Sequence, residues 1–318
     1  MIKHIFFLGI LLVSVLGCSD RPAEVLNTIN LVSGELASLA ISTDEYEGYF
    51  DDWSEADVRL QMGWPDSVAV EIETYRRWLS ALPVQWPEDL SDRANGLLEA
   101  ALGESGTLFP GLAPDTIELI LTDDLPYGAS IYFTRGRAII CPKTHLKNAS
   151  EDELMHVFRH ELFHLISRNH IANREEMYDL IGFKSIADSI SWPGHLYDRR
   201  LLNPDAPRPD YALDLDGILY VPVVYAAQSP YDADEPDYFA RQLRFKYFQM
   251  RGDSLRPPTL SVAEVRAATG GLTNYIIHPE EILADQFALL LEGRGPHGNE
   301  TLEKLSRFLR GLVSTPVN

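Results

Sequence analysis

The sequence predicts an α+β protein in which a helical N-terminal region precedes a domain of a few strands and two chemically loaded helices. Three observations predict it. Residues from about Ala23 to Leu102 carry Trp53, Leu60, Trp64, Tyr75, Trp78, Leu79, Leu82 and Trp86 as apolar anchors in helix-like sequence, and stripes of this kind are normally core. Thr116–Thr122 has strand character through Ile117, Leu119, Ile120 and Leu121, and Ile131–Thr134 and Ala138–Cys141 read as two strands around a turn at Arg135-Gly136. Two later segments, about 150–168 and 279–292, carry helix start signals and buried-face periodicity.

The leader, residues 1–17, has Lys3 and then an apolar run from Ile5 to Gly17, shorter than the about 20 residues that a bilayer-spanning helix needs. Val15-Leu16-Gly17-Cys18 resembles the bacterial lipoprotein signal. The resemblance implies a lipidated Cys18 as mature N-terminus, and Ser19 after it favours the outer membrane, with the protein facing the periplasm. A secretory signal cleaved nearby, or a short N-terminal anchor, is the alternative, and in every case the leader is excluded from the fold. With Cys18 consumed, Cys141 is a lone thiol, so no disulfide framework is available and core burial alone must stabilise the chain. Within Arg137–Cys141 it reads as a small buried hydrophobe.

Residues 18–105 form the predicted helical region and residues 106–318 the predicted main domain. Ser191–Tyr211, rich in Pro and Asp, reads as loop. Ile218–Tyr225 and Leu243–Met250 read as strands or a hairpin inserted between the two loaded helices, and Thr301–Leu312 as a final helix packed on the body. The acids outnumber Lys and Arg by 47 to 27, a net charge of −20, which argues against nucleic acid and against electrostatic docking on anionic headgroups. Leu213–Gly217 and Asp232–Asp237 look like fragments of calcium loops, but neither has the full ligand spacing, so both read as solvated turns.

His160-Glu161-Leu162-Phe163-His164 carries the chemistry. It puts two imidazoles one helical turn apart on a common face with a carboxylate after the first. A zincin-type hydrolase needs this arrangement: two His nitrogens hold Zn²⁺ and the Glu takes a proton from the metal-bound water. Ser150, three residues before Glu153, starts the helix as in a capping box, and Leu154, Val157, Phe158, Leu162 and Leu165 supply its buried face. Without the interposed Glu161, a pair of satisfied semi-buried histidines would be the better reading. His156 lies a turn too early to be a ligand.

Two residues compete as third ligand. His160 to His170 matches the metzincin pattern H-E-x-x-H-x-x-G-x-x-H except that Ser167 stands where Gly turns the chain back. Far downstream, Pro279 opens a helix on which Glu281 and Asp285 sit one turn apart beside Ala284 and Ala288. This E-x-x-x-D arrangement resembles gluzincins. It implies Glu281 as ligand and Asp285 as the carboxylate that orients a ligand histidine through its other ring nitrogen. Glu281 is the preferred ligand and His170 the alternative.

Tyr132–Ile139, Arg159–Asn169, Ile181-Gly182-Phe183, Asn203-Pro204-Asp205-Ala206-Pro207 and His278–Leu290 together resemble a group of bacterial gluzincin-like metallopeptidase lipoproteins, over roughly the last two thirds of the chain. The resemblance implies a zincin-like α+β fold, in which an edge strand borders the cleft and pairs with extended substrate. It also implies a zinc peptidase acting on a peptide or protein substrate in the cell envelope, with Glu161 as general base. Tyr275 and His278, just before the second helix, are the nearest oxyanion stabilisers in sequence. The Asn203–Pro207 stretch reads as a rigid turn. The alternative function is a non-catalytic envelope lipoprotein that binds partner proteins in a former protease cleft, against which the retained Glu161 argues.

Cys18→Ser is expected to release the protein from the membrane fraction or to leave an unprocessed precursor, measured by fractionation and intact mass. Normal partitioning and processing of the variant would remove the lipid-anchor reading.

Overall fold

The structure is a computed structural model and describes residues 27–44, 48–64, 68–123, 127–186, 190–227, 238–258, 260–293 and 298–314. The leader with Cys18 and the acidic run 232–237 lie outside them. The chain enters through strand β1 (Thr28–Val32) and helices α1 (Gly34–Ser42), α2 (Glu55–Met62), α3 (Ile72–Ser80) and α4 (Glu88–Leu108). Strands β2 (Thr116–Thr122), β3 (Phe133–Arg135) and β4 (Ala138–Pro142) lead to α5 (Lys143–Asn148) and the long α6 (Glu151–Asn169). Then come α7 (Arg174–Asp179), β5 (Phe183–Ser185), α8 (Gly194–Tyr197), β6 (Tyr211–Leu215), β7 (Ile218–Ala226), α9 (Tyr238–Gln242), β8 (Leu243–Arg251) and β9 (Ser254–Pro258). Helices α10 (Val262–Ala268), α11 (Pro279–Glu292) and α12 (Glu300–Ser314) close it. The architecture is α+β, as the sequence predicts.

The first sheet has the order β1-β2-β4-β3, with β1 and β4 parallel to β2 and β3 antiparallel at one edge. It is covered on both faces. Ile117, Leu119 and Leu121 of β2 enter the main core with Leu98 and Ala101 of α4, Phe158 and Leu162 of α6, and Ile282 and Phe287 of α11. Ile120, with Ala138 and Ile140 of β4, faces Ala37, Ile41 and Leu79 of α1 and α3. Burial on both sides is why β2 reads as a near-continuous apolar run instead of alternating.

The expectation of helix throughout residues 23–102 fails at β1. Ile29 and Leu31 alternate there with Thr28 and Asn30, a period of two, and the segment fills the edge beside β2 in the register Ile29↔Ile117 to Val32↔Ile120. The boundary expected at residue 105 falls inside α4, whose Leu97, Leu98 and Ala101 share the core of α6 and α11.

The second sheet, β5-β6-β7-β8-β9, is an antiparallel meander inserted between α6 and α11. Its β6–β7 turn places Asp216 and Gly217 at φ 54° and 79°, the left-handed pair that a two-residue type I′ hairpin requires. Asp214 accepts the Gly217 N–H at 2.8 Å. The acid-rich Leu213–Gly217 stretch is therefore the end of β6 and its two-residue hairpin turn. Cys141 is fully buried in β4, where burial pushes its thiol pKa up.

Under the second face of the first sheet lies a buried polar knot. Gln61 donates to Tyr49 Oη at 3.0 Å and to Asp57 Oδ2 at 2.8 Å, and Tyr49 Oη lies 2.8 Å from Tyr127 Oη. The Arg135 guanidinium stacks 4.0 Å from the Tyr49 ring centre. Burial pushes the Asp57 carboxyl up to about 7, opposed by the bonds from Tyr49 and Gln61. Between the unfolded pKa near 4 and about 7, the folded chain holds a proton that the unfolded chain has lost, so stability falls as pH rises through this window.

Asp57→Asn removes the titration and keeps the shape. From pH 5 to pH 8 the variant is expected to lose less stability than the parent, by on the order of 3 kcal/mol, measured by denaturant unfolding at both values. Equal losses in the two proteins would show that Asp57 is not the titrating group.

Candidate metal centre

Helix α6 starts where its cap dictates. Ser150 accepts the Glu153 N–H at 3.2 Å, while the Glu153 carboxylate turns to His145 Nε2 at 3.1 Å instead of closing a reciprocal box. Helix α11 opens with His278, whose Nδ1 accepts the Glu280 N–H at 3.1 Å, and with Pro279 in the first turn; it ends at Gly293, φ 64°. The two helices pack with Ala284 and Ala288 fully buried, so small side chains let the backbones approach.

That approach brings the polar residues of both helices together. His160 Nε2 lies 3.0 Å from Glu281 Oε2, and His164 Nε2 lies 3.6 Å from the same oxygen. One donor atom from each of the three residues lies within 4.8 Å of the others, and all three residues are buried. On the far side of each ring, His160 Nδ1 meets Asp285 Oδ1 at 2.9 Å and His164 Nδ1 meets Glu280 Oε1 at 3.0 Å. Both Nδ1 atoms are thus engaged by carboxylates and both Nε2 atoms face Glu281. Asn203 Nδ2 donates to the other Glu281 oxygen at 2.7 Å.

This donor set fits a metal ion. Ligand bonds of about 2.0–2.1 Å in a tetrahedron imply neighbouring donors roughly 3.3–3.4 Å apart, a value between the two separations measured at Glu281 Oε2. His164 Nε2 is buried with no hydrogen-bond partner, as a nitrogen reserved for an ion would be. Without an ion, the pairing is electrostatic. Burial disfavours the imidazolium of His160, yet the bonds to Asp285 and Glu281 push its pKa up to about 10. Burial likewise opposes the charge on Glu281, but His164 and His160 hold its carboxyl well below the usual range.

A second layer fixes the first. Glu280, fully buried, accepts Ser167 Oγ–H at 2.8 Å and the Tyr178 hydroxyl, with Arg174 Nε 3.9 Å away. Against the cost of burial, Arg174 and His164 hold its carboxyl at about 2. Asp285 accepts the Thr273 hydroxyl and lies 3.5 Å from His156 Nε2; His156 and His160 hold it low against burial. His156 in turn bonds Glu292 at 2.9 Å.

Glu161 stands apart from these matched acids. It is buried, its Oε2 has no hydrogen-bond partner, and burial together with the charge of Asp205 pushes its carboxyl up to about 8. Asp205, also raised by burial, accepts the N–H and the hydroxyl of Thr134, the former at 2.7 Å. Arg168 then donates to Thr134 Oγ1 and to the Gly136 carbonyl, each at 2.9 Å. Donor atoms of Glu161, His164 and Asp205 form a second group within 4.8 Å of one another.

A cavity of about 300 Å³ opens onto this cluster, bordered by His160, Glu161, Glu281, Asp285, Asn203 and Asp205. Tyr275 lines it, its ring tilted against His160 at 5.8 Å. His278, the other expected oxyanion residue, does not border this cavity; it caps α11 and stands edge-on to the Tyr178 ring. His170 is outside both donor groups. Ser167, in place of a turning glycine, lets α6 run on to Asn169 with His170 as its C-cap.

Sequence reasoning missed Glu280, Asn203 and Asp205. Glu280 carries no assignment in the sequence reading, and Asn203–Pro207 reads there as a rigid turn. The signal was the placement of Asn and Asp within a Leu- and Pro-rich segment, where polar groups have reason to be only if something buried needs them. No protein-family model matches the chain, and neither a curated protein nor a solved structure matches it significantly.

Proposed function

We propose that the protein is a zinc-dependent peptidase of zincin-like architecture, acting in the bacterial cell envelope from a lipidated Cys18. The observation that carries this reading is the convergence of His160, His164 and Glu281 on one buried point, with the Glu161 carboxyl, whose Oε2 has no hydrogen-bond partner, at the same cavity. His160, His164 and Glu281 would hold the ion, with Asp285 and Glu280 each fixing one histidine's tautomer. Zinc held there supplies Lewis acidity, polarising a scissile carbonyl and lowering the pKa of water.

The base chemistry belongs to Glu161. On a helix that turns His160 and His164 to one side, the next residue emerges about 100° around, which directs its carboxylate past the ligand point toward the cavity. Its raised pKa suits a group that accepts a proton from water at Oε2 and passes it to the leaving amine. A structural site would have no use there for a buried acid whose Oε2 has no hydrogen-bond partner. Tyr275, on the cavity wall beside His160, is the side chain best situated to donate a hydrogen bond to the developing oxyanion.

Two experiments test the assignment. Glu281→Ala is expected to abolish stoichiometric zinc, while Asp285→Ala and Glu280→Gln weaken affinity by roughly 10- to 100-fold and His170→Ala leaves zinc in place, all by chelator competition. Metal loss in the His170 variant with retention in the Glu281 variant would overturn the ligand set. Glu161→Gln is expected to lower peptide hydrolysis by about 10²–10⁴ with zinc content unchanged; equal cleavage by parent and variant would mean that the chemistry lies elsewhere.

A further inference from the structure

The edge strand β3 offers the place where an extended ligand would add to the first sheet, but two outward backbone groups, one in β3 and one just past its end, are already taken. The Thr134 N–H points away from β4 and is taken by Asp205, and the Gly136 carbonyl is taken by Arg168. Asp205 cannot swing away freely. It is buried, its own N–H is bound to Asn203 Oδ1 at 3.1 Å, and Pro204 and Pro207 flank it. Because outward-facing groups alternate along a strand, Tyr132 is left as the pairing position on the cavity side of this block, and Ser130, Ile131 and Tyr132 border the cavity itself.

The cavity is small and selective in charge. Its volume of about 300 Å³ is at the lower end of ligand sites. Ile131, Leu201, Leu202, Val224, Leu243 and Ile277 form its apolar walls, and its charged groups are the acids and histidines of the cluster. Among the described residues that line it there is no Lys or Arg. An acidic side chain or a free α-carboxylate lying against these apolar walls, away from the histidines and any ion they hold, would have no Lys or Arg to pair with among the described lining residues and would face the carboxylates of the cluster, a costly burial.

We propose that the site takes short, neutral peptides carrying a bulky apolar side chain, and neither long polypeptides laid along β3 nor peptides read by their C-terminal carboxylate. The inference rests on the peptidase reading for its chemistry but on the cavity and the two taken edge groups for its specificity. The test uses the zinc-loaded protein that begins after Cys18. Fluorogenic tetrapeptide amides with Leu, Phe, Asp or Lys at one position are compared with their free acids and with the same sequence inside a long unstructured polypeptide.

Leu and Phe peptides are expected to exceed Asp and Lys peptides in kcat/KM by about tenfold or more, amides to exceed free acids, and short peptides to exceed the embedded sequence. Equilibrium binding to zinc-loaded Glu161→Gln is expected to rank the peptides in the same order. Leu243→Glu should erase the preference for apolar side chains. Val224→Ala, which adds no charge and enlarges the cavity, should move it from Leu toward Phe. Equal cleavage of the embedded sequence, or of Asp and Leu peptides, would overturn the proposal while leaving the peptidase reading intact. Ranked binding without any cleavage would support the ligand class and sink the peptidase reading. Neither binding nor cleavage would overturn both.

Discussion

The mutual neutralisation of His164 by two neighbouring acids on α11 is the interaction on which the rest of the site depends. Glu280 and Glu281 are consecutive, both essentially without solvent exposure, and they address opposite nitrogens of one ring. Two buried carboxylates side by side would repel and would each carry a large desolvation cost. Placing an imidazole between them, with Arg174, Ser167 and Tyr178 on the outer side, makes the arrangement tolerable and sets the distance between α6 and α11. Ala284 and Ala288 then follow as a requirement, since larger residues would hold the helices too far apart for the pairing.

The acids fall into two electrostatic classes. Glu280, Glu281 and Asp285 are held low by imidazoles, and in the first case also by a guanidinium. Glu161 and Asp205 are raised, chiefly because burial penalises charge that is not fully matched. One group fixes charge and geometry; the other is able to hold a proton. Such separation by environment is how one cavity can contain both structural anions and a proton carrier.

What could be read in the sequence was local. The caps and apolar faces of α6 and α11 are written in adjacent residues, and the spacing His160–His164 and Glu281–Asp285 becomes a common face once a helix is assumed. Ser150 starts α6, and Pro279 sits at the start of α11. Asn203 and Asp205 belong to irregular chain, and nothing in their own sequence says where it runs; only the folded loop brings Asn203 to Glu281 and Asp205 to Thr134. β1 was hidden for a related reason: five residues with weak alternation become a strand because β2 presents a free edge far along the chain. The long run of β2 itself was legible as strand, but its burial on two faces needed α1 and α3 in place.

His160 and Glu281 are 121 residues apart in sequence, and the whole β5–β9 meander lies between them. The cluster therefore has no local precursor in the unfolded chain, and its formation coincides with the docking of α11 onto α6. Any ion or small molecule that engages both helices binds the folded state alone, and raises its stability by RT ln(1 + [L]/Kd). Occupancy and folding are then one equilibrium. A lesion in the meander, remote from every side chain of the cluster, would register as weaker apparent binding whenever it lets α11 leave.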